Sequence, residues 1–140
     1  MFQFIKKMFG GKREPEHLRR GRLGEAAAKH HLKSAGLKFL VANFKTKDSE
    51  IDLVFRDGDC LVFVEVKART EGGWTRPAAA VDQRKRSLLS KAAREYVRQL
   101  RDSNVKFRFD IVEVLLVDGE VNGVRHISNA FPLTKAKRHA

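Results

Sequence analysis

Asp52, Glu65 and Lys67 are the residues in this chain whose types and spacing suit hydrolysis of a phosphodiester. They lie in two runs, Ile51-Asp52-Leu53-Val54-Phe55 and Cys60 to Lys67, rich in the β-branched and aromatic residues that favour strands. Asp57-Gly58 falls between the runs and reads as a two-residue hairpin loop. With that loop, Asp52 faces Phe63 and lies diagonal to Glu65. Side chains alternate across a sheet, so Asp52, Val54, Leu61, Phe63, Glu65 and Lys67 share one face. Ile51, Leu53, Phe55, Val62, Val64 and Val66 share the other, which is wholly apolar. The first face gathers two carboxylates and an ammonium at the end of the hairpin away from its turn.

Diagonal neighbours are roughly 7–8 Å apart at Cα, close enough for two carboxylates to converge on one point. A hard divalent cation, Mg²⁺ or Mn²⁺, suits such a point, because it takes oxygen ligands and leaves positions for a phosphate and a nucleophilic water. Lys67 can neutralise charge on the phosphoryl group, orient the water, or take its proton if its own pKa is lowered. Glu25 adds a third carboxylate if its helix packs beside this sheet edge. The competing reading is a satisfied ion-pair cluster on a half-exposed sheet face, which is what an E-x-K strand taken alone would mean. Three features favour chemistry: the carboxylate in the preceding strand falls on the same face, the flanking residues read as buried, where unpaired charge is costly, and the chain is strongly basic.

These residues need a scaffold. From Arg22 to Ala35 apolar residues fall at helical spacing and Gly36 sits where a left-handed cap belongs, so a helix is expected there, with Lys12 to Gly21 before it as a linker. Leu37 to Phe44 reads as a strand. Ala68 to Ala78, with Gly72-Gly73, Trp74 and Pro77, reads as a loop long enough to cover a site. Leu88, Leu89, Ala92, Ala93, Tyr96, Val97 and Leu100 mark an amphipathic helix from Val81 to about Arg101. Phe107 to Val117 and Val121 to Ile127 flank Asp118-Gly119 and read as a terminal hairpin. This order implies an α/β domain: a mixed β-sheet flanked by helices, with the second helix crossing between parallel strands.

The 140 residues suit one domain, and 42% hydrophobic content with ten Phe supports a packed core. Lys and Arg number 29 against 17 Asp and Glu, a formal net charge of +12, so a polyanion is the first partner to consider. Cys60 is the single cysteine, which excludes an intrachain disulfide and a multi-cysteine zinc site and suits a reducing, cytoplasmic setting. No run approaches the roughly 18 apolar residues of a membrane span, so no integral membrane association is expected. Met1 to Phe9 is too interrupted for a signal peptide and reads as a frayed terminus or a surface-binding helix.

Arg69, Arg76, Arg84, Lys85, Arg86, Lys91, Arg94 and Arg98 form a basic series, the members near the site reading as phosphate contacts and the later ones as a solvated helix face. Trp74 either stacks on nucleic acid or caps the core. Adjacent His30 and His31 point in different directions on a helix and do not make a metal pair. Asp110 is expected in a strand beside the active sheet, where it orients Arg108, supports the site, or forms a buried ion pair. Walker-type glycine loops, G-x-S-x-G and H-E-x-x-H are absent from the sequence, which disfavours nucleotide hydrolysis, serine-esterase chemistry and zinc proteolysis.

From Gly21 to Val117 the chain resembles the bacterial YraN family, which is related to archaeal Holliday-junction resolvases within the restriction-endonuclease-like superfamily. The resemblance is carried by Gly21-Arg22-Leu23-Gly24-Glu25, Glu50-Ile51-Asp52-Leu53-Val54, Phe63-Val64-Glu65-Val66-Lys67-Ala68-Arg69, Val81 to Lys85 and Arg108-Phe109-Asp110. It implies a restriction-endonuclease-like sheet, metal binding by Asp52 and Glu65, a catalytic Lys67 and assistance from Glu25. It also implies phosphate-binding or supporting roles for Gln83 and Lys85. Ser49 stands where the family usually has Gly, and no proline precedes Asp52; neither departure removes a ligand. The resulting expectation is a metal-dependent endonuclease for branched or otherwise structured DNA, working with Mg²⁺ or Mn²⁺ and suited to a homodimer. Its nuclease-like domain would span 21–128, between a basic N-terminal extension over 1–20 and a basic tail over 129–140. The rival is a non-catalytic DNA-binding or protein-docking module with the same fold.

Overall fold

Helix α1 (Glu16–Ser34), strands β1 (Lys38–Lys45), β2 (Glu50–Asp57) and β3 (Cys60–Arg69), helix α2 (Gln83–Leu100), and strands β4 (Lys106–Val117) and β5 (Glu120–Phe131) follow one another along the chain. The computed structural model describes residues 13–70, 81–102 and 104–135. The readings of Met1 to Phe9, Gly72-Gly73, Trp74, Arg76 and Pro77 fall outside them. The sheet order is β1-β2-β3-β4-β5, with β3 and β4 parallel and every other pair antiparallel. Parallel strands need a long crossover, and α2 supplies it. A five-stranded mixed sheet with a helix against each face is the restriction-endonuclease-like architecture expected from the sequence.

Two cores form because both faces of the central strands are apolar. Ala28 and Leu32 of α1 pack on Leu53, Phe55, Val62, Val64, Val112, Val114 and Leu116. Leu89, Ala92 and Ala93 of α2 pack on Val54, Leu61, Phe63, Phe109, Ile111 and Phe131. Phe63 anchors the second core, with edge contacts to Tyr96 at 5.5 Å and Phe107 at 5.6 Å between ring centroids. Burying such a side chain stabilises the fold by about 1.5–3 kcal/mol.

The elements differ from the sequence reading at their ends. The run expected as a linker is helical from Glu16: the Pro15 carbonyl accepts the N–H groups of Leu18 and Arg19, and Arg22 bonds Glu14 through both of its oxygens at 3.0 Å. Those first turns lack an apolar stripe, so hydrophobic periodicity does not reveal them. The other end behaves as expected: Gly36 has φ 94°, and the N–H groups of Gly36 and Leu37 bond the carbonyls of Lys33 and Leu32. Strand β5 runs past Ile127 to Phe131, whose ring stacks on Phe109 at 4.8 Å.

The hairpin register is also corrected. Asp57 pairs with Cys60, so the loop is Gly58-Asp59, and Leu53 and Val54 pair with Val64 and Phe63. Gly58 takes the first loop position with φ 60°, where an Asp-Gly loop would have required Asp57 to adopt a positive φ. The shift is two residues, which preserves each side chain's face but places Asp52 directly across from Glu65 rather than diagonal to it.

Ile51 is a second correction. It packs with Val54 and Phe63 in the α2-side core, whereas Leu53 packs in the α1-side core. Across the ladder, Ala42 and Phe44 divide in the same way, and Asn43 between them has φ 56°. Both strands turn over at the Asn43/Asp52 step, and simple alternation fails there.

Candidate metal and phosphate site

The turnover opens a gap at the end of the hairpin. Ladder pairing between β2 and β3 stops at Leu53 and Val64, and beyond it Oδ2 of Asp52 accepts the Val66 N–H at 2.8 Å. A side chain thus replaces a carbonyl as the partner of a strand amide, which fixes the Asp52 carboxylate beside β3. Glu65 lies across from it and is only 5% exposed. Its Oε1 is 3.5 Å from Nζ of Lys67 and 3.7 Å from Nζ of Lys85, and its Oε2 is buried without a hydrogen-bond partner.

Lys85 reaches Glu65 from the first turn of α2. Asp82 caps that helix by accepting the Lys85 N–H at 2.8 Å, which fixes the backbone that carries the lysine. Gln83, the first helical residue, is exposed beside it. Arg69 lies two residues beyond Lys67 on the same face of β3, and its Nε is buried without a hydrogen-bond partner.

Glu25 arrives from α1, which lies close against β3: a methyl group on Gly24 would meet Cβ of Ala68 at 3.4 Å and Cγ1 of Val66 at 3.6 Å. The Glu25 carboxyl is pushed up to about 7 by burial, then by the charges of Asp52 and Glu50, while a hydrogen bond with the Asn43 side chain works the other way. Burial also raises Asp52, outweighing its bond to Val66 and the nearby Lys85. Glu65 is raised by burial and by the charge of Asp52, against the pull of Lys85 and Lys67. Three carboxyl groups are therefore held above their usual range because desolvation and mutual repulsion exceed what two partly exposed ammonium groups return.

A divalent cation would reverse that balance, and the donor set fits one. Asp52 and Glu65 present hard oxygens from facing positions, and the orphaned Oε2 of Glu65 is an acceptor without a donor. Among the described residues no three His, Cys, Asp or Glu side chains gather closely enough to hold an ion by themselves. A two-carboxylate set that leaves Glu25 further out suits Mg²⁺ or Mn²⁺, since Mg²⁺ usually keeps several waters.

Arg108 and Asp110 are not brought to this site. Val64 and Asp110 are register partners, on the sheet face opposite Glu65. Fully buried Asp110 accepts Arg108 through Nε at 3.0 Å and through a terminal nitrogen at 3.3 Å, and the Asn129 N–H at 2.9 Å. His126 Nε2 lies 2.7 Å away. Burial alone would raise Asp110, but bonds from His126, Arg108 and Asn129 hold it below the ordinary aspartate value. Arg108 also reaches Asp57 at 3.0 Å, so the network ties β4 to the β2–β3 turn and to β5. Asp110 thus orients Arg108 within a buried ion pair. His31 meets His126 edge-on at 6.4 Å between ring centroids.

The later members of the basic series are engaged on the α2 surface. Lys91 pairs with Asp48 at 2.9 Å, Arg94 bonds the Thr134 carbonyl, and Arg98 pairs with Glu95. Sequence reasoning missed Asn43 and the buried Glu113, paired with Arg125 at 3.2 Å. A lone acid within Val112-Glu113-Val114, an otherwise apolar strand, was the available signal for the latter.

The relatives of this chain share most of its length. A UPF0102 protein from Porphyromonas gingivalis is 42% identical over 119 residues, covering 84% of this chain and 87% of that protein. One from Trichlorobacter lovleyi is 40% identical over 114 residues, covering 81% and 90% respectively. One from Koribacter versatilis is 44% identical over 105 residues, covering 74% of this chain and 73% of its own. The model of the uncharacterised protein family UPF0102 matches residues 24–114, from the glycine beside Glu25 into β4, and the chain belongs to that family, the YraN family its motifs indicated.

Proposed function

We propose that this protein is a metal-dependent endonuclease that hydrolyses DNA phosphodiester bonds, with branched or structured DNA as its substrate and a homodimer as the form that makes paired cuts. The observation that carries this reading is Glu65: a buried carboxylate facing Asp52, flanked by two lysines and left with one unpartnered oxygen. The +12 net charge supports a polyanionic substrate, through counterion release.

Asp52 and Glu65 would hold the Mg²⁺ or Mn²⁺, which would supply Lewis acidity and a more acidic water. Glu25, its carboxyl near neutrality, hydrogen-bonds the attacking water and accepts its proton. Lys67 faces the phosphoryl oxygens and compensates charge that builds on them. Lys85 and Arg69 bind the phosphate on either side of that position, and Gln83 supports it from the start of α2. Water adds to phosphorus as the bond to the leaving oxygen breaks, and the leaving oxygen takes a proton from solvent, giving a phosphomonoester and a hydroxyl end.

Cleavage of labelled duplex, single-stranded, flap and four-way-junction DNA in Mg²⁺, Mn²⁺ or EDTA tests the reading. Metal-dependent products, lost in Glu65→Ala and Lys67→Ala, are expected. Salt-sensitive binding without product on every substrate, unchanged by either substitution, would instead establish a DNA-binding module.

A further inference from the structure

The polar end of the β3 face continues across the sheet. Register places Lys67 beside Glu113 on β4, and Glu113 opposite Arg125 on β5. Ammonium, carboxylate and guanidinium therefore form one row on the face that carries Glu65. The adjacent row, Glu65 with Ile111 and Ile127, passes into the apolar core under α2, so the charged row borders the site directly.

Glu113 has an unequal pair of oxygens. Oε2 accepts Arg125 at 3.2 Å, whereas Oε1 is buried and lacks a hydrogen-bond partner, in a residue that is wholly inaccessible to solvent. An acceptor left open inside a protein calls for a donor. Neighbouring strands are about 4.8 Å apart, which puts the flexible Lys67 side chain within reach of it. Nζ of Lys67 lies 3.5 Å from Oε1 of Glu65. With Glu65 and Asp52 engaged on a cation, that oxygen would no longer be free for Lys67, and the ammonium would be repelled.

We propose that Glu113 is a positioning residue that receives Lys67 when Glu65 takes up a divalent cation, keeping the ammonium at the site rather than releasing it to solvent. Arg125 bonds Oε2 of Glu113 and leaves Oε1 without a hydrogen-bond partner. This inference rests on the metal-dependent reading of Asp52 and Glu65, and it assigns the neighbouring strand a part in the same chemistry.

The test follows the side-chain NMR signal of Lys67 in the full chain carrying 13Cε-labelled lysine, identified by its loss in Lys67→Arg, with Mg²⁺ alone as the probe. In the wild type Mg²⁺ shifts this signal to a position distinct from that of a solvated lysine. In Glu113→Gln, which still offers Arg125 an oxygen, the Mg²⁺-bound signal moves to the solvated position, and single-turnover cleavage slows about tenfold at unchanged DNA affinity. Arg125→Gln keeps the Glu113 carboxylate and gives the wild-type Mg²⁺ response. An unchanged Mg²⁺-bound signal in Glu113→Gln overturns the inference and leaves the nuclease reading intact. The same displacement in Arg125→Gln also overturns it, by tracing the effect to the Glu113–Arg125 pair as a structural unit. A wild-type Lys67 signal that ignores saturating Mg²⁺ overturns the inference, while metal-dependent cleavage decides the nuclease reading separately. A signal that behaves as expected, in a protein that cleaves no DNA, supports the anchor while removing the nuclease reading.

Discussion

The Asp52 carboxylate bonds the backbone N–H of Val66 at 2.8 Å, one residue beyond Glu65, and so locks the two acids side by side where the hairpin ladder ends. Asp52 has two separable tasks there, holding a strand and presenting charge. Asp52→Asn keeps an oxygen for Val66 and removes the charge; Asp52→Ala removes both. The alanine variant is expected to lose about 1 kcal/mol relative to the asparagine variant in urea unfolding. Both should lose Mg²⁺ affinity by at least about tenfold in calorimetric titration.

Metal-free protein should become less stable as pH rises through the range that Glu25 governs. Its carboxyl moves from an ordinary 4.5 to about 7 on folding, so between these values the folded state holds a proton that the unfolded state has lost. The contribution is present below about 4.5 and gone above about 7. Asp52 and Glu65, also raised, act in the same direction. Thermal melts across this range should show the decline, Glu25→Gln should flatten part of it, and Mg²⁺ should oppose it in the wild type but not in Glu65→Gln.

Lys67 and Lys85 both approach Glu65, yet their removal should read differently. Lys85→Ala is expected to weaken binding to all DNA sequences alike and to reduce the slope of log affinity against log salt by about one. Lys67→Ala should leave that binding largely intact and reduce cleavage by about 10²–10⁴-fold. Salt-dependent binding and single-turnover cleavage on the same substrate separate the two.

Asp110 should matter for stability alone. Its carboxyl is held below the ordinary 3.8, so its stabilising contribution is complete above that pH and is lost as pH falls through the lower folded value. Asp110→Asn removes the buried charge that Arg108 and His126 face, leaving Arg108 its outer pair with Asp57, and is expected to cost about 3 kcal/mol in urea unfolding, with Mg²⁺ affinity unchanged. A fall in Mg²⁺ affinity at full stability would instead tie this network to the site.

The sequence by itself determined the parts governed by local spacing. Alternation placed Glu65 and Lys67 on one face of β3, and the amphipathic period of α2 with its position between β3 and β4 implied the parallel crossover. Gly36 marked the end of α1 because a positive φ is cheap only for glycine. The tertiary structure decided what depends on neighbours remote in sequence. The loop at Gly58-Asp59 set the register that put Asp52 across from Glu65, and the turnover at Asn43 and Asp52 sent Ile51 to the other core. Packing of α1 on Val66 and Ala68 brought Glu25 to Asp52, and the β3–β4–β5 registers set Lys67, Glu113 and Arg125 in one row while carrying Asp110 to the opposite face. A strand's own residues specify which side chains share a face; the offset between strands and the helix lying over them follow from long-range burial and pairing, which no local period contains.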